Sequence, residues 1–145
     1  MREEILPKAN FRVGVHAETW QEAVQAAGEV LLENGSITQT YIDEMIQAVI
    51  DLGPYMVIMP GFALAHAEPS SAVLRNDMSL ILLDAPVEFG SENDPVTMVY
   101  CVACTDRESH REALSKVARA LLDDEIFEQL GKATSVEEAY SILHS

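Results

Sequence analysis

Val96-Thr97-Met98-Val99-Tyr100-Cys101-Val102 is apolar at nearly every position. A strand with one wet face alternates apolar and polar residues, so a nearly unbroken run predicts a strand covered on both faces. Met56-Val57-Ile58-Met59 and Met78-Ser79-Leu80-Ile81-Leu82-Leu83 have the same character. Upstream, Phe11-Arg12-Val13-Gly14-Val15 alternates and predicts a first strand. Turn signals separate these runs: Pro60-Gly61, Glu68-Pro69-Ser70-Ser71 and the stretch from Gly90 to Pro95.

Helical patterns fill the spaces between and after the strands. Thr19-Trp20-Gln21-Glu22 is a capping box, in which the Thr and Glu side chains take up free N–H groups at a helix start. Trp20, Val24, Ala27, Val30 and Leu31 follow at helical spacing, and Asn34-Gly35 ends the helix. A second helix is expected from about Thr40, with Ile42, Met45, Ile46, Val49 and Ile50 as its apolar face and Gly53-Pro54 as its stop. Leu114, Val117, Leu121 and Leu122 predict a third, opening after Asp106 or Ser109. Asp123 or Asp124 caps a short helix carrying Ile126, Phe127 and Leu130. Ser135-Val136-Glu137-Glu138 is a further capping box, opening a last helix with Ala139, Tyr140 and Leu143. The fold class is therefore α/β, a sheet with helices packed around it.

The chain has 145 residues, 48% of them hydrophobic, which predicts a single domain over 1–145 with one real core rather than a disordered acidic segment. Nine Lys and Arg against 24 Asp and Glu leave a net charge of −15. That argues strongly against nucleic acid and anionic membrane surfaces as partners, since both need cationic contacts, and favours protein partners with basic patches. The longest apolar stretch, Tyr55 to Ala65, is broken by Pro60-Gly61 and falls short of the roughly 18 residues a membrane-spanning helix needs. Met1-Arg2-Glu3-Glu4 begins no signal peptide, so a cytoplasmic protein is expected. Cys101 and Cys104 lie three apart in a predicted strand and so face opposite ways, which predicts two buried, inert thiols.

Glycine-rich phosphate loops, dinucleotide fingerprints, zinc-protease helices and nucleophile elbows are all absent from the sequence. Four histidines remain. His144 is next to the last residue, and His16 lies between the first strand and first helix. His66 stands alone between Ala65 and Ala67, after a small-residue apolar stretch; the plain reading is a satisfied histidine at a strand end. His110 lies in Thr105-Asp106-Arg107-Glu108-Ser109-His110, at a helix start, where the helix dipole favours a neutral ring; the plain reading is an exposed first-turn residue. Read together they make a chemical proposal. A neutral imidazole is a nucleophile toward phosphorus, and a helix start with Ser109 and His110 offers N–H donors to the phosphoryl oxygens.

At this point the residues resemble a known family. Pro60-Gly61 followed at a distance by His66, the Ser109-His110 helix start, and the closing Leu121-Leu122-Asp123-Asp124-Glu125, Leu130 and Ala133-Thr134-Ser135-Val136-Glu137-Glu138 are similar to the mannitol/fructose-type enzyme IIA component of the sugar phosphotransferase system (PTS). The resemblance covers nearly the whole chain. Leu52 to Ala67 looks most like the ascorbate-type branch, and the arginine usual on the second helix of the mannitol branch does not appear in Met45-Ile46-Gln47-Ala48-Val49. The resemblance implies a mixed, mostly parallel sheet flanked by helices on both faces. It implies that His66 accepts a phosphoryl group from the phosphocarrier HPr and passes it to a cysteine of enzyme IIB, with His110 assisting. The membrane enzyme IIC would be met only indirectly, and neither a cofactor nor a metal is implied. A regulatory IIA-like domain read by another protein, and a non-catalytic ligand-binding or interaction module of the same fold, remain alternatives. A metal site of His66, His110 and acidic residues lacks tight ligand spacing.

Overall fold

The computed structural model describes residues 6–121 and 123–143, with only the backbone of Asp124. Met1 to Glu4, Leu122 and His144, each noted in the sequence, lie outside the described residues. In chain order the elements are β1 (Phe11–Val15), α1 (Trp20–Glu33), α2 (Gln39–Leu52), β2 (Val57–Met59), β3 (Phe62–Ala65), β4 (Asp77–Val87), β5 (Val96–Ala103), α3 (Arg107–Leu121), α4 (Asp124–Gly131) and α5 (Val136–Leu143).

The five strands form one sheet in the order β1-β4-β5-β3-β2. It is mixed, as expected. β1 pairs with β4 and β3 with β5 in parallel; β4 with β5 and β2 with β3 are antiparallel. Parallel and antiparallel pairs are thus equal in number. Both antiparallel pairs join strands that are consecutive in the chain, where a short connection suffices. The tightest of these connections is Pro60-Gly61, and Gly61 takes φ +82°, a conformation that favours glycine.

β5 shows why its sequence has no polar alternation. Val99, Cys101 and Ala103 point into the core under α1 and α2, whereas Met98, Tyr100 and Val102 point into a second core under α3, α4 and α5. Phe62 and Leu64 of β3 take the second side, Ala63 and Ala65 the first. A period-two pattern with helices on both faces buries every position of a central strand. All eight β5 residues except Thr97 are buried. Cutting such a residue back to alanine costs about 2–5 kcal/mol.

The helix caps follow the sequence closely. Thr19 accepts the Glu22 N–H at α1, Asp123 accepts the N–H groups of Glu125 and Ile126 at α4, and Ser135 accepts that of Glu138 at α5. Asp106, not Ser109, opens α3: its carboxylate accepts both the Ser109 N–H and the Ser109 hydroxyl. Cys101 and Cys104 are buried and belong to opposite cores, as their spacing predicts.

One expectation needs correction, and one strand is added to the runs named from the sequence. Ile50 is not on the buried face of α2; it is 60% exposed, and Tyr41 takes part in that face with Ile42, Met45 and Val49. One residue beyond Val49 is a 100° turn of the helix, which carries Ile50 past the edge of the stripe. In addition, Phe62–Ala65 is a strand in its own right, although it is short and flanked by a turn and a histidine.

Candidate functional site

The site forms where β3 and β5 end. These strands are adjacent and parallel, with Ala65 opposite Cys101, so their C-terminal ends lie side by side. His66 is the first residue beyond β3. Beyond β5, Cys104 to Asp106 lead into α3, and His110 sits one turn inside that helix. A crevice at the carboxyl ends of parallel strands is a common place for ligands in open α/β sheets. The two imidazole rings lie 5.5 Å apart between centroids, inclined at 50°. His110 is not the exposed first-turn residue of its plain reading, and the plain reading of His66 as a satisfied histidine at a strand end holds but is incomplete: each ring is partly buried, and each faces the other.

His66 is held by its own strand. Its Nδ1 lies 2.6 Å from the carbonyl oxygen of Leu64. A carbonyl only accepts, so Nδ1 carries the proton and donates, which leaves the lone pair on Nε2. Burial pulls the basicity of the ring below the ordinary histidine value; the Leu64 carbonyl and the Glu68 charge oppose this more weakly. The result is a neutral imidazole with an oriented nucleophilic nitrogen.

His110 is also drawn below the ordinary value, by burial first and by His66 second, with Glu68 opposing. Its Nδ1 is buried without a hydrogen-bond partner. A buried N–H left unpaired is costlier than an unpaired acceptor, which favours the tautomer with its proton on Nε2. In that tautomer the ring has one N–H to give to a neighbouring anion.

The helix start contributes less than its sequence suggests. The Ser109 N–H and hydroxyl are both taken by Asp106, and the His110 N–H bonds to the Asp106 carbonyl. The Ser109 N–H above all, and then its hydroxyl, hold the Asp106 carboxyl below the usual carboxylate range.

Two tyrosines complete the site, and the sequence reading passed over both. Tyr55 packs edge-on against the His66 ring, centroids 5.2 Å apart, and its hydroxyl donates to the His66 carbonyl. Tyr41, fully buried on α2, accepts the Ala67 N–H at 3.0 Å and donates to the Val102 carbonyl at 2.8 Å. Together they hold the two ends of one peptide group, the link from His66 to Ala67, just after the imidazole. The available signal was a polar tip where only an apolar residue is needed: Tyr41 beside Ile42 in a helix, and Tyr55 between Pro54 and a strand.

On the α2 side a shallow groove beside His66 is lined by Glu44, Gln47, Asp51, Leu52, Ala67 and Glu68. His16 is elsewhere, exposed beyond β1, with Nδ1 3.2 Å from Asp84. No group of three or more His, Cys, Asp or Glu among the described residues is placed to hold a metal ion. Nor is any helix among them long and apolar enough to cross a membrane.

Comparison with known proteins gives this arrangement a context. A family model described as the phosphoenolpyruvate-dependent sugar phosphotransferase system, EIIA 2, matches residues 4–145. The chain is 31% identical over 140 residues to the mannitol-specific cryptic phosphotransferase enzyme IIA component of Escherichia coli K12, covering 97% of this chain and 95% of that protein. It is 30% identical over 145 residues to the ascorbate-specific PTS EIIA component of the same strain, covering 99% and 94%. Identity therefore does not separate the two branches. Among solved structures, a complex of mannitol enzyme IIA with phosphorylated mannitol enzyme IIB from Escherichia coli matches with a TM-score of 0.84 and 27% identity, covering 95% of this chain and 96% of that one.

Proposed function

The chain belongs to the EIIA 2 family of the phosphoenolpyruvate-dependent sugar phosphotransferase system, and from that premise we propose that its 145 residues act as one domain, a cytoplasmic phosphoryl carrier using His66. The observation that carries the reading is the Nδ1–H bond from His66 to the Leu64 carbonyl, which leaves Nε2 as a lone pair in a half-buried site. In the first transfer, Nε2 of His66 attacks the phosphorus held on a histidine of HPr. The new N–P bond forms as the old one breaks, and the donor histidine leaves with the bonding pair. In the second transfer, a cysteine thiolate of enzyme IIB attacks the same phosphorus and His66 departs as the neutral ring. No external redox partner or water is consumed.

His110 assists both steps by giving its Nε2–H to a phosphoryl oxygen, a charge-assisted hydrogen bond worth about 1.5–3 kcal/mol. The tyrosines keep the nucleophile aimed while the ring carries its cargo. The family places this chain among components of sugar uptake; the transported compound, a sugar or an ascorbate-like acid, is chosen by other components. Enzyme IIB as the acceptor is supported by the solved complex of a relative.

Incubation with enzyme I, HPr and phosphoenolpyruvate, followed by mass analysis, tests the reading. One acid-labile, base-stable phosphoryl group is expected on the parent protein and none on His66→Gln, with both folded by circular dichroism. Stoichiometric phosphorylation of His66→Gln would overturn the assignment.

A further inference from the structure

We propose that Arg107 is a movable counter-ion for the phosphoryl group, stored on Glu68 in the empty protein and transferred to the phosphoryl oxygens when His66 is loaded. This rests on the reading of His66 as the phosphoryl carrier.

Charge bookkeeping at the site makes the case. A phosphoryl group on His66 brings about two negative charges where a neutral ring stood. Glu68, two residues further along the chain, already sets a negative field there, and it acts on His66, on His110 and on the Tyr55 hydroxyl alike. The molecule as a whole carries −15. Loading the site therefore adds like charge to like charge unless a cation comes in.

Arg107 is placed to be that cation. It is the first residue of α3 and lies three residues before His110, so the two share one face of the helix. Its Nε is 3.9 Å from Oε2 of Glu68, which bridges the start of α3 to the loop carrying His66. Both side chains are more than 80% exposed, at 86% and 83%. A long, solvated ion pair of this kind is worth little and exchanges partners readily. A phosphoryl group offers the guanidinium more: two charges instead of one, and oxygens that match its planar fork.

Other cations have partners away from the site: Arg12 on Glu33, Arg75 on Ser36 and Asn34, Lys132 on Glu128, and Arg119 on Ser115. Arg111 follows His110 directly, and one residue along a helix is turned by 100°, away from the face shared by Arg107 and His110.

The test compares the parent with Arg107→Gln, Arg107→Lys, Glu68→Gln and, as control, Arg111→Gln. Each is equilibrated with enzyme I, HPr and phosphoenolpyruvate. The phosphoryl distribution between HPr and His66 is read by mass, and the pH titration of the phosphoryl group by phosphorus NMR. Arg107→Gln is expected to shift the distribution toward HPr by about ten-fold, the effect of losing one charge-assisted contact, and to raise the pH at which the phosphoryl group takes up its last proton. Arg107→Lys should fall between. Glu68→Gln should shift the distribution the other way, and Arg111→Gln should match the parent. A merely structural role for Arg107 would alter thermal stability and leave the phosphoryl titration in place. If the parent is phosphorylated on His66 and Arg107→Gln matches it in both readouts, the counter-ion role is overturned and the carrier reading stands. If the parent takes up no phosphoryl group, the carrier reading falls and this inference falls with it.

Discussion

At the scale of single residues, the proposed phosphoryl chemistry depends on two histidines staying neutral. Burial lowers the proton affinity of both His66 and His110 below the ordinary value of 6.5. The folded protein therefore holds fewer protons on these rings than the unfolded chain does as pH falls below that value. Their contribution to stability is fully present above about pH 6.5 and is lost as pH falls through their folded values. Denaturant unfolding between about pH 8 and about pH 5 should show the parent losing stability more steeply than His66→Gln; equal slopes would mean that the ring is not desolvated as described. The same shift keeps Nε2 unprotonated in mildly acidic solution. The role proposed for His110 is separable from that of His66. Loss of its N–H in His110→Ala should slow phosphoryl transfer by about one to two powers of ten without preventing attachment to His66. His110→Gln, which can still donate, should recover part of the rate. Rapid mixing with phospho-HPr reads both, and parent rates in both variants would remove His110 from the chemistry.

At the scale of elements, the site is a junction held by Tyr41. Its hydroxyl belongs to α2, accepts from the residue after His66, and donates to a β5 carbonyl. One fully buried group thus ties a helix, the end of β3 and the central strand together. Tyr41→Phe leaves the Ala67 N–H and the Val102 carbonyl without that partner, at a cost of about 1–3 kcal/mol. Urea unfolding should show that loss, and hydrogen exchange should show the Ala67 amide losing protection before amides at the centre of β5. Unchanged exchange at Ala67 would mean that the strand end is held by something else. Gly28 marks a comparable junction between α1 and α2: a Cβ there would meet Cγ1 of Ile42 at 2.6 Å, so the two helices approach as closely as they do because no side chain intervenes.

At the scale of the molecule, the dominant feature is the charge of −15, to which Glu44, Asp51 and Glu68 contribute beside His66. A partner docking over the histidines meets an acidic rim, with exposed Leu52 as its apolar part. Electrostatic steering raises the association rate of a basic partner and is screened as ionic strength rises. Stopped-flow mixing with HPr should therefore show association slowing between about 0.05 M and about 0.5 M salt, with dissociation changing less. A salt-independent association rate would instead assign docking to the apolar contact around Leu52.

β3 was not among the expected strands, whereas helix caps, the positions of β1, β2, β4 and β5, and the two-sided cover of β5 were legible in the sequence by itself. Each rests on short-range physics: a side-chain oxygen three residues from the N–H it accepts, or a period of two that leaves no polar face. His66 and His110 stood out as well, one by its small neighbours and one by its helix start. Only the tertiary structure decided that they form one site. Nothing near either histidine encodes the parallel pairing of β3 with β5, because pairing depends on which distant strand offers a matching edge and on how the whole sheet is covered. That pairing brings the rings to 5.5 Å. It also decided which donors are free. Local pattern places Ser109 at a helix start, but only the folded geometry shows Asp106 taking both of its hydrogens. Tyr41 and Tyr55 were illegible for the same reason: each acts on backbone groups that no local pattern could assign to it, since hydrogen-bond partners across a fold are set by packing.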